Sequence, residues 1–332
     1  MADLTTKYLG LTLKNPIIVG SSGLTDSVEG IKEIEKNGAG AVVLKSLFEE
    51  QIRLDVKKML KDADEDELTY SKYSETFDYI DHHIRQDSLE NYLQLIKGAK
   101  EEVLIPVIAS INCFSASGWT NFAKKIEEAG ADALELNIFN LPSDLSLSHE
   151  ANLKAYFEII EKVMKEVNIP ISIKVSWFFS NLGEFIQILS QTGVNGIVLF
   201  NRFFSPDIDI DKYEVIPANK YSSPDEITHS LRWIALMSGR IKCDLAASTG
   251  IHDGKGVIKQ LLAGANAVEV VSTLYKNGLG QIQKMLTELE DWMEENRYNY
   301  IDQFMGKMSY DRSQNPAVYE RMQFMKYYSG IS

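Results

Sequence analysis

One phrase occurs four times in the 332 residues and limits the folds open to the chain more than any other feature. Its copies are Asn37-Gly-Ala-Gly-Ala-Val-Val-Leu-Lys45, Ala129-Gly-Ala-Asp-Ala-Leu-Glu-Leu-Asn137, Thr192-Gly-Val-Asn-Gly-Ile-Val-Leu-Phe-Asn201 and Ala263-Gly-Ala-Asn-Ala-Val-Glu-Val-Val-Ser272. In each, a glycine stops a helix, a short turn follows, and an apolar strand ends on a polar side chain. Helix and strand therefore alternate, which implies parallel strands joined by right-handed crossovers. The strands expected on this pattern are Pro16–Gly20, Ala41–Lys45, Pro106–Ser110, Ala133–Ile138, Pro170–Val175, Gly196–Asn201, Cys243–Ser248 and Ala267–Ser272. Eight is the number that closes a (β/α)8 TIM barrel. Proline opens three of them, where its missing N–H is tolerated. The helices between are amphipathic; in 151–167, Leu153, Tyr156, Phe157, Ile160 and Val163 share one side.

The last quarter, Cys243 to Tyr275, carries the strongest site signal. The turn Thr249-Gly250-Ile251-His252-Asp253-Gly254 holds two glycines and exposes amides. Val257, Ile258, Leu261 and Leu262 then fall on one helical face, Gly264 stops the helix, and the next strand ends in Ser272-Thr273. Two successive amide-rich strand ends make an anion cradle. In a (β/α)8 barrel the loops after strands seven and eight are a frequent phosphate site.

Three stretches depart from the bare repeat. Residues 48–85, after strand two, are charged and contain the acidic run 61–67. That run lacks the glycine of a calcium loop and reads as a solvated turn at the catalytic mouth. Residues 202–221 read as a small hairpin after strand six. The tail, 298–332, is rich in Met and Tyr and is expected to cover the barrel or a neighbouring subunit. The whole, 1–332, reads as one domain, with 45% hydrophobic residues to fill a single large core.

Charge and cysteine content remove several functions. A net charge of −13 lacks the basic stripe of a nucleic-acid binder and argues equally against an anionic membrane surface. Two cysteines give no disulfide framework and no CxxC metal pair. The first residues lack a signal peptide's basic start and apolar run, and no apolar run approaches a membrane helix in length. A cytoplasmic protein is expected.

A barrel enzyme works at the carboxyl ends of its strands. Those ends carry Ser21, Ser22, Lys45, Ser46, Ser110, Asn112, Asn137, Lys174, Asn201, Ser248 to Gly250, Ser272 and Thr273. No Asp–His–His cluster appears among them, so no metal is expected. Asparagine amides read a flat heterocycle with polar edges, lysines balance negative charge on it, and the cradle holds a phosphate. That set suits FMN. Two rivals remain: an aldolase or lyase barrel with Lys174 or Lys45 as a Schiff base, and an FMN-binding protein without chemistry.

From Asn15 to Lys307 the chain resembles the class 1 dihydroorotate dehydrogenases, FMN-dependent (β/α)8 barrels. The resemblance is carried by Asn15-Pro16, Ser21-Ser22-Gly23, Leu44-Lys45-Ser46, Glu135-Leu136-Asn137, Ile173-Lys174-Val175, Asn201, Ser248-Thr249-Gly250-Ile251 and Ser272-Thr273-Leu274. It implies that Ser21 and Ser22 contact the flavin and that Lys45 lies near ring and substrate. Asn137 and Asn201 would face flavin and substrate, and Lys174 the N1–O2 edge of the ring. Gly250, Ile251, Ser272 and Thr273 would hold the phosphate, with Asn112 and Thr249 among the cofactor contacts. A small-molecule substrate, a separate electron acceptor and a homodimer are expected with it.

The departures are as specific. Asn140 stands where the family has its catalytic cysteine, and Pro142 where it has a substrate-binding asparagine. The family's substrate loop after strand two has no counterpart in 48–85. Arg202 replaces a serine, and Thr249 and Val271 replace glycines of the phosphate turns. His82, His83, Ser143 and Cys113 could stand in as a base, but each has an ordinary structural reading. The flavin site reads as kept and the orotate site as rewritten.

Overall fold

The computed structural model describes residues 2–48, 73–112, 116–138, 143 and 145–320. Eight parallel strands close into a barrel: Ile17–Val19, Ala41–Val43, Val107–Asn112, Ala133–Asn137, Ile171–Val175, Gly196–Leu199, Asp244–Ser248 and Ala267–Val270. Strand eight pairs with strand one through Val268 and Ile17, and strand two with strand three through Val42 and Val107. Seven strands lie within the expected ranges; strand three runs on to Asn112, where Leu47–Phe48 pairs with its end.

Helices cover the outside. The helix His149–Glu166 starts two residues before the expected position because the Ser148 side chain accepts from the Ala151 amide. It buries Tyr156, Ile159, Ile160 and Val163, while Leu153 and Phe157 are only partly covered. Residues 73–85, expected in the charged insertion, belong to a long crossover helix, Tyr73–Glu102, that leads into strand three. The acidic run 61–67 lies outside the described residues. No helix among the described residues is long and apolar enough to cross a membrane.

Strand residues alternate between the helices and the barrel axis. On the axis, Ile18, Ala41, Val43, Ile108, Ala133, Val198, Ala246 and Ala267 form an apolar lower layer. Two residues further along, the same inward rows present Ser110, Glu135 and Glu269, with Ser172 and Lys174 from strand five, all buried. An N-terminal hairpin that the repeat did not reveal, Thr6–Tyr8 with Leu11–Leu13, plugs the lower end with Tyr8, Leu9 and Leu13. Leu9 (φ 56°) and Gly10 (φ 76°) make its two-residue turn, both at the positive φ of a type I′ turn. Strand six must approach this plug closely: a Cβ on Gly196 would lie 2.5 Å from Leu9 Cδ2.

The hairpin expected in 202–221 forms from Pro206–Asp209 and Glu214–Pro217. The tail, as far as Glu320, runs along the lower and outer side of the barrel. Ile301 and Phe304 are fully buried, and the Gly306 and Met308 amides donate to the carbonyls of Leu261 (2.9 Å) and Leu262 (2.8 Å). Those carbonyls end the helix Gly254–Ala263, and that of Leu261 also accepts from the Gly264 amide (3.0 Å). This part of the tail therefore caps a helix end away from the mouth.

Candidate active site

A cavity of about 420 Å³ opens at the carboxyl ends of strands one, five, six, seven and eight. Of the expected site residues, Ser21, Lys174, Asn201, Thr249, Gly250, Ile251 and Ser272 line it. Ser22, Lys45, Asn112, Asn137 and Thr273 sit behind or beside this wall.

The floor is charged. Lys174 Nζ lies 2.5 Å from Glu269 Oε2 and 3.6 Å from Glu135 Oε1, with the glutamate side chains 1% exposed and the lysine 10%. Burial, and then the nearby charge of Glu269, pushes the Glu135 carboxyl well above the usual carboxylate range. Burial pulls Lys174 down, but the charges of Glu135 and Glu269 more than offset it, so the ammonium is held above its ordinary value. The trio is thus a close Lys174–Glu269 ion pair with Glu135, the carboxyl pushed upward, beside it. A lysine held charged is a poor Schiff-base nucleophile. Lys45 is no better suited: half exposed, it lies 3.7 Å from Asp26 Oδ2. The sequence assigns no role to either glutamate, yet it carries a signal: each interrupts an apolar strand in a copy of the repeated phrase.

The turn after strand seven is narrower as an anion cradle than its sequence suggests. The Gly254 amide donates to Glu288 Oε2 (2.6 Å) and the Gly256 amide to Asp253 Oδ1 (2.7 Å), so both are spent on carboxylates. The amides of Gly250 and Ile251 donate to no other described residue. Gly250 has φ 79°, and a Cβ there would lie 2.1 Å from the Ile227 backbone nitrogen, so only glycine fits. Thr249, where the family pattern has glycine, holds φ 77°, an uncommon state for a β-branched residue. Its hydroxyl donates to the Phe200 carbonyl (3.3 Å).

At the end of strand eight, Ser272 Oγ accepts from the Ser222 amide (3.0 Å) and keeps its own O–H to donate. The Thr273 hydroxyl is already used: it donates to the His252 carbonyl (2.9 Å) and accepts from Asn277 (3.1 Å). Only its backbone remains. Ser222, His252 and Lys276, missed in the sequence, form a latch here: Ser222 Oγ lies 3.1 Å from His252 Nε2, and Lys276 Nζ donates to the Ser222 carbonyl (2.8 Å). Burial, then the Lys276 charge, holds His252 below its ordinary value and therefore neutral at pH 7. No local pattern announces this latch, because its members lie in three separate segments.

On the other side, Asn201 Nδ2 donates to Asn137 Oδ1 (2.8 Å). Asn112 Oδ1 is buried without a partner among the described residues. Ser21 Oγ accepts from the Ser46 amide (2.8 Å), and Ser46 Oγ reaches Ser110 Oγ (2.7 Å), so hydroxyls tie strands one, two and three together. Ser22 turns back onto the Gly20 carbonyl (3.2 Å). Arg202 clamps the base of the hairpin through Glu226 (3.0 Å) and the carbonyls of Asn219 and Lys220. Asn140, Pro142 and Cys113 lie outside the described residues. His82 and His83 fall in the helix Tyr73–Glu102, and Ser143 is exposed. No cluster of metal-binding side chains occurs among the described residues.

Comparison with known proteins bears on the same chemistry. Residues 3–293 match the model of a family described as dihydroorotate dehydrogenase. The catalytic subunit of dihydroorotate dehydrogenase B (NAD(+)) from Thermoplasma volcanium is 26% identical over 92% of this chain and 98% of its own length. The dihydroorotate dehydrogenase (fumarate) of Saccharomyces cerevisiae is 23% identical, covering 93% and 99%. The chloroplastic dihydropyrimidine dehydrogenase (NADP(+)) of Arabidopsis thaliana is 22% identical, covering 92% and 76%. The match over most of the chain, on a closed barrel with a polar mouth, places this protein in the dihydroorotate dehydrogenase family of oxidoreductases that act on CH–CH bonds.

Proposed function

We propose that the chain binds FMN without a covalent link and, in the cytoplasm, moves hydride between the cofactor and a small polar substrate. The observation that carries this is a single cavity with Lys174 and Asn201 on one wall and the unspent amides of Gly250 and Ile251 on another. The donor set fits the group. Gly250, Ile251 and the Ser272 O–H would hold one terminal phosphate, and the Thr273 backbone would flank it. Asn137 and Asn201 would present amides to the ring and to substrate, and the orphaned Asn112 oxygen is an acceptor awaiting a donor. Ser21, Ser22 and Lys45 would border the ring, and Lys174 would stabilise negative charge as it develops. Bound FMN supplies the hydride acceptor. Denatured protein is expected to release FMN and not FAD; recovery of FAD, or no flavin after reconstitution with excess FMN, overturns the reading.

We infer further that dihydroorotate is a poor substrate. Its oxidation requires a proton to leave one carbon as hydride leaves the next, and an amide at position 140 cannot accept that proton at neutral pH. General-base assistance contributes about 10²- to 10⁴-fold. Asn140→Cys alone is not expected to restore turnover, because Pro142 and the rewritten loop after strand two also remove substrate contacts. Turnover by the unmodified protein at roughly 1 per second or more refutes this. The expected homodimer has a candidate contact in the hairpin, where Ile208, Ile210, Tyr213 and Val215 are exposed; sedimentation as a monomer removes it.

A further inference from the structure

An apolar barrel core would be enough to hold this fold, yet its upper layer carries three ionisable groups. Glu135, Lys174 and Glu269 hold one more acid than base. Glu135 Oε1 and Glu269 Oε1, with the Tyr8 hydroxyl and Ser172 Oγ, lack hydrogen-bond partners among the described residues. A half-satisfied polar cluster in a dry interior costs stability, so its presence points to function. The trio is also two-sided. Lys174 and Glu269 line the cavity, and Glu135 does not. The titratable groups facing Glu269 are Lys174 from strand five, Glu135 from strand four and Tyr8 from the N-terminal hairpin. Arg202 and Lys220 reach the same cavity from strand six and the hairpin behind it.

We propose that Glu269 is a positioning residue that holds the Lys174 ammonium in the barrel, competes for it with the bound cofactor, and takes up a proton when negative charge arrives on that cofactor. This deepens the FMN reading and rests on it. In the resting site the ammonium is balanced by Glu269, its nearer carboxylate at 2.5 Å, and Glu135, at 3.6 Å and pushed upward by burial, carries the proton in this proposal. Reduction would leave the ring with one negative charge: a substrate C–H bond would give two electrons and a proton together as hydride, whereas dithionite would give the two electrons and solvent the proton. Lys174 turns to that charge, its hydrogen bond to Glu269 Oε2 breaks, and a proton from solvent in the cavity binds Glu269. The buried site keeps zero net charge before and after, which a low-dielectric interior requires. No covalent bond in the protein is made or broken except the new O–H on Glu269.

The test compares the wild-type protein with Glu269→Gln and Glu135→Gln. FMN binding is measured first by fluorescence, and the midpoint potential of the bound cofactor is then followed across neutral pH with dithionite as reductant. Wild type and Glu135→Gln are expected to take up two protons per two electrons, and Glu269→Gln only one. An equal proton count in wild type and Glu269→Gln overturns the proposal. If Glu269→Gln does not fold, infrared difference spectra of the wild type decide: a protonated-carboxyl band must grow on reduction, and its absence overturns the proposal. A wild type that binds no FMN refutes the FMN reading and this inference with it. A wild type that binds FMN but takes up one proton refutes the inference alone.

Discussion

The lower and upper layers of the barrel axis are made by the same strands, one pleat apart, and are built on opposite principles. In the lower layer, Tyr8, Leu9 and Leu13 fill the space between Ile18, Ala133, Val198 and Ala267. In the upper layer, at the positions two residues further on, Glu135 and Glu269 meet Lys174. The lower layer gains free energy from every apolar atom it removes from water. The upper layer gives some of that up by burying charges that are only partly paired. One barrel thus separates the part that holds the fold from the part that handles charge, and the boundary runs across single strands.

Four substitutions break or sharpen this contrast. Lys174→Met removes the only cation of the trio and leaves two buried carboxyls facing each other. A stability loss of about 3–5 kcal/mol in urea unfolding is expected, together with a lower potential of bound FMN. A loss under about 1 kcal/mol would mean that the pair is solvated. Leu13→Ala, in the lower layer, should cost about 3 kcal/mol by leaving a cavity, while FMN affinity stays unchanged. A matching loss of FMN affinity would show that the layers are coupled.

Glu135→Gln tests the protonated acid by its pH dependence. The folded-state value of Glu135 lies above its unfolded one, so the native state binds the extra proton and loses stability as pH rises above the ordinary glutamate value of 4.5. The glutamine variant lacks this loss. Its advantage over wild type should grow by about 1.4 kcal/mol for each pH unit until the folded-state value is passed. A constant difference between acidic and alkaline pH would show that Glu135 is ionised. The smallest effect is expected at the rim. Asn201→Ala removes its hydrogen bond to Asn137, costs about 1 kcal/mol, and should weaken FMN binding several-fold by titration. An unchanged dissociation constant would place the asparagine pair outside the cofactor contacts.

Much of this molecule is legible in its sequence. The four-fold phrase marks four strands and the alternation of helix and strand, and the apolar runs between its copies supply the other four, because helix stop, turn and apolar run are local signals. The strand-end rule likewise brought Ser21, Lys174, Asn201, Gly250 and Ser272 to one mouth, since every strand of such a barrel points the same way. The N-terminal hairpin was missed because three-residue strands carry too few residues to show a period. The cradle after strand seven is narrower in the structure than in the sequence. Whether the Gly254 amide is free depends on Glu288, a residue of a later helix, and no local signal records that bond. The trio depended on tertiary structure for the same reason. Glu269 lies 95 positions from Lys174, and a glutamate inside an apolar strand shows only that something must compensate its burial. Which residue does so follows from barrel closure, because only then does strand eight face the paired strands four and five across the axis.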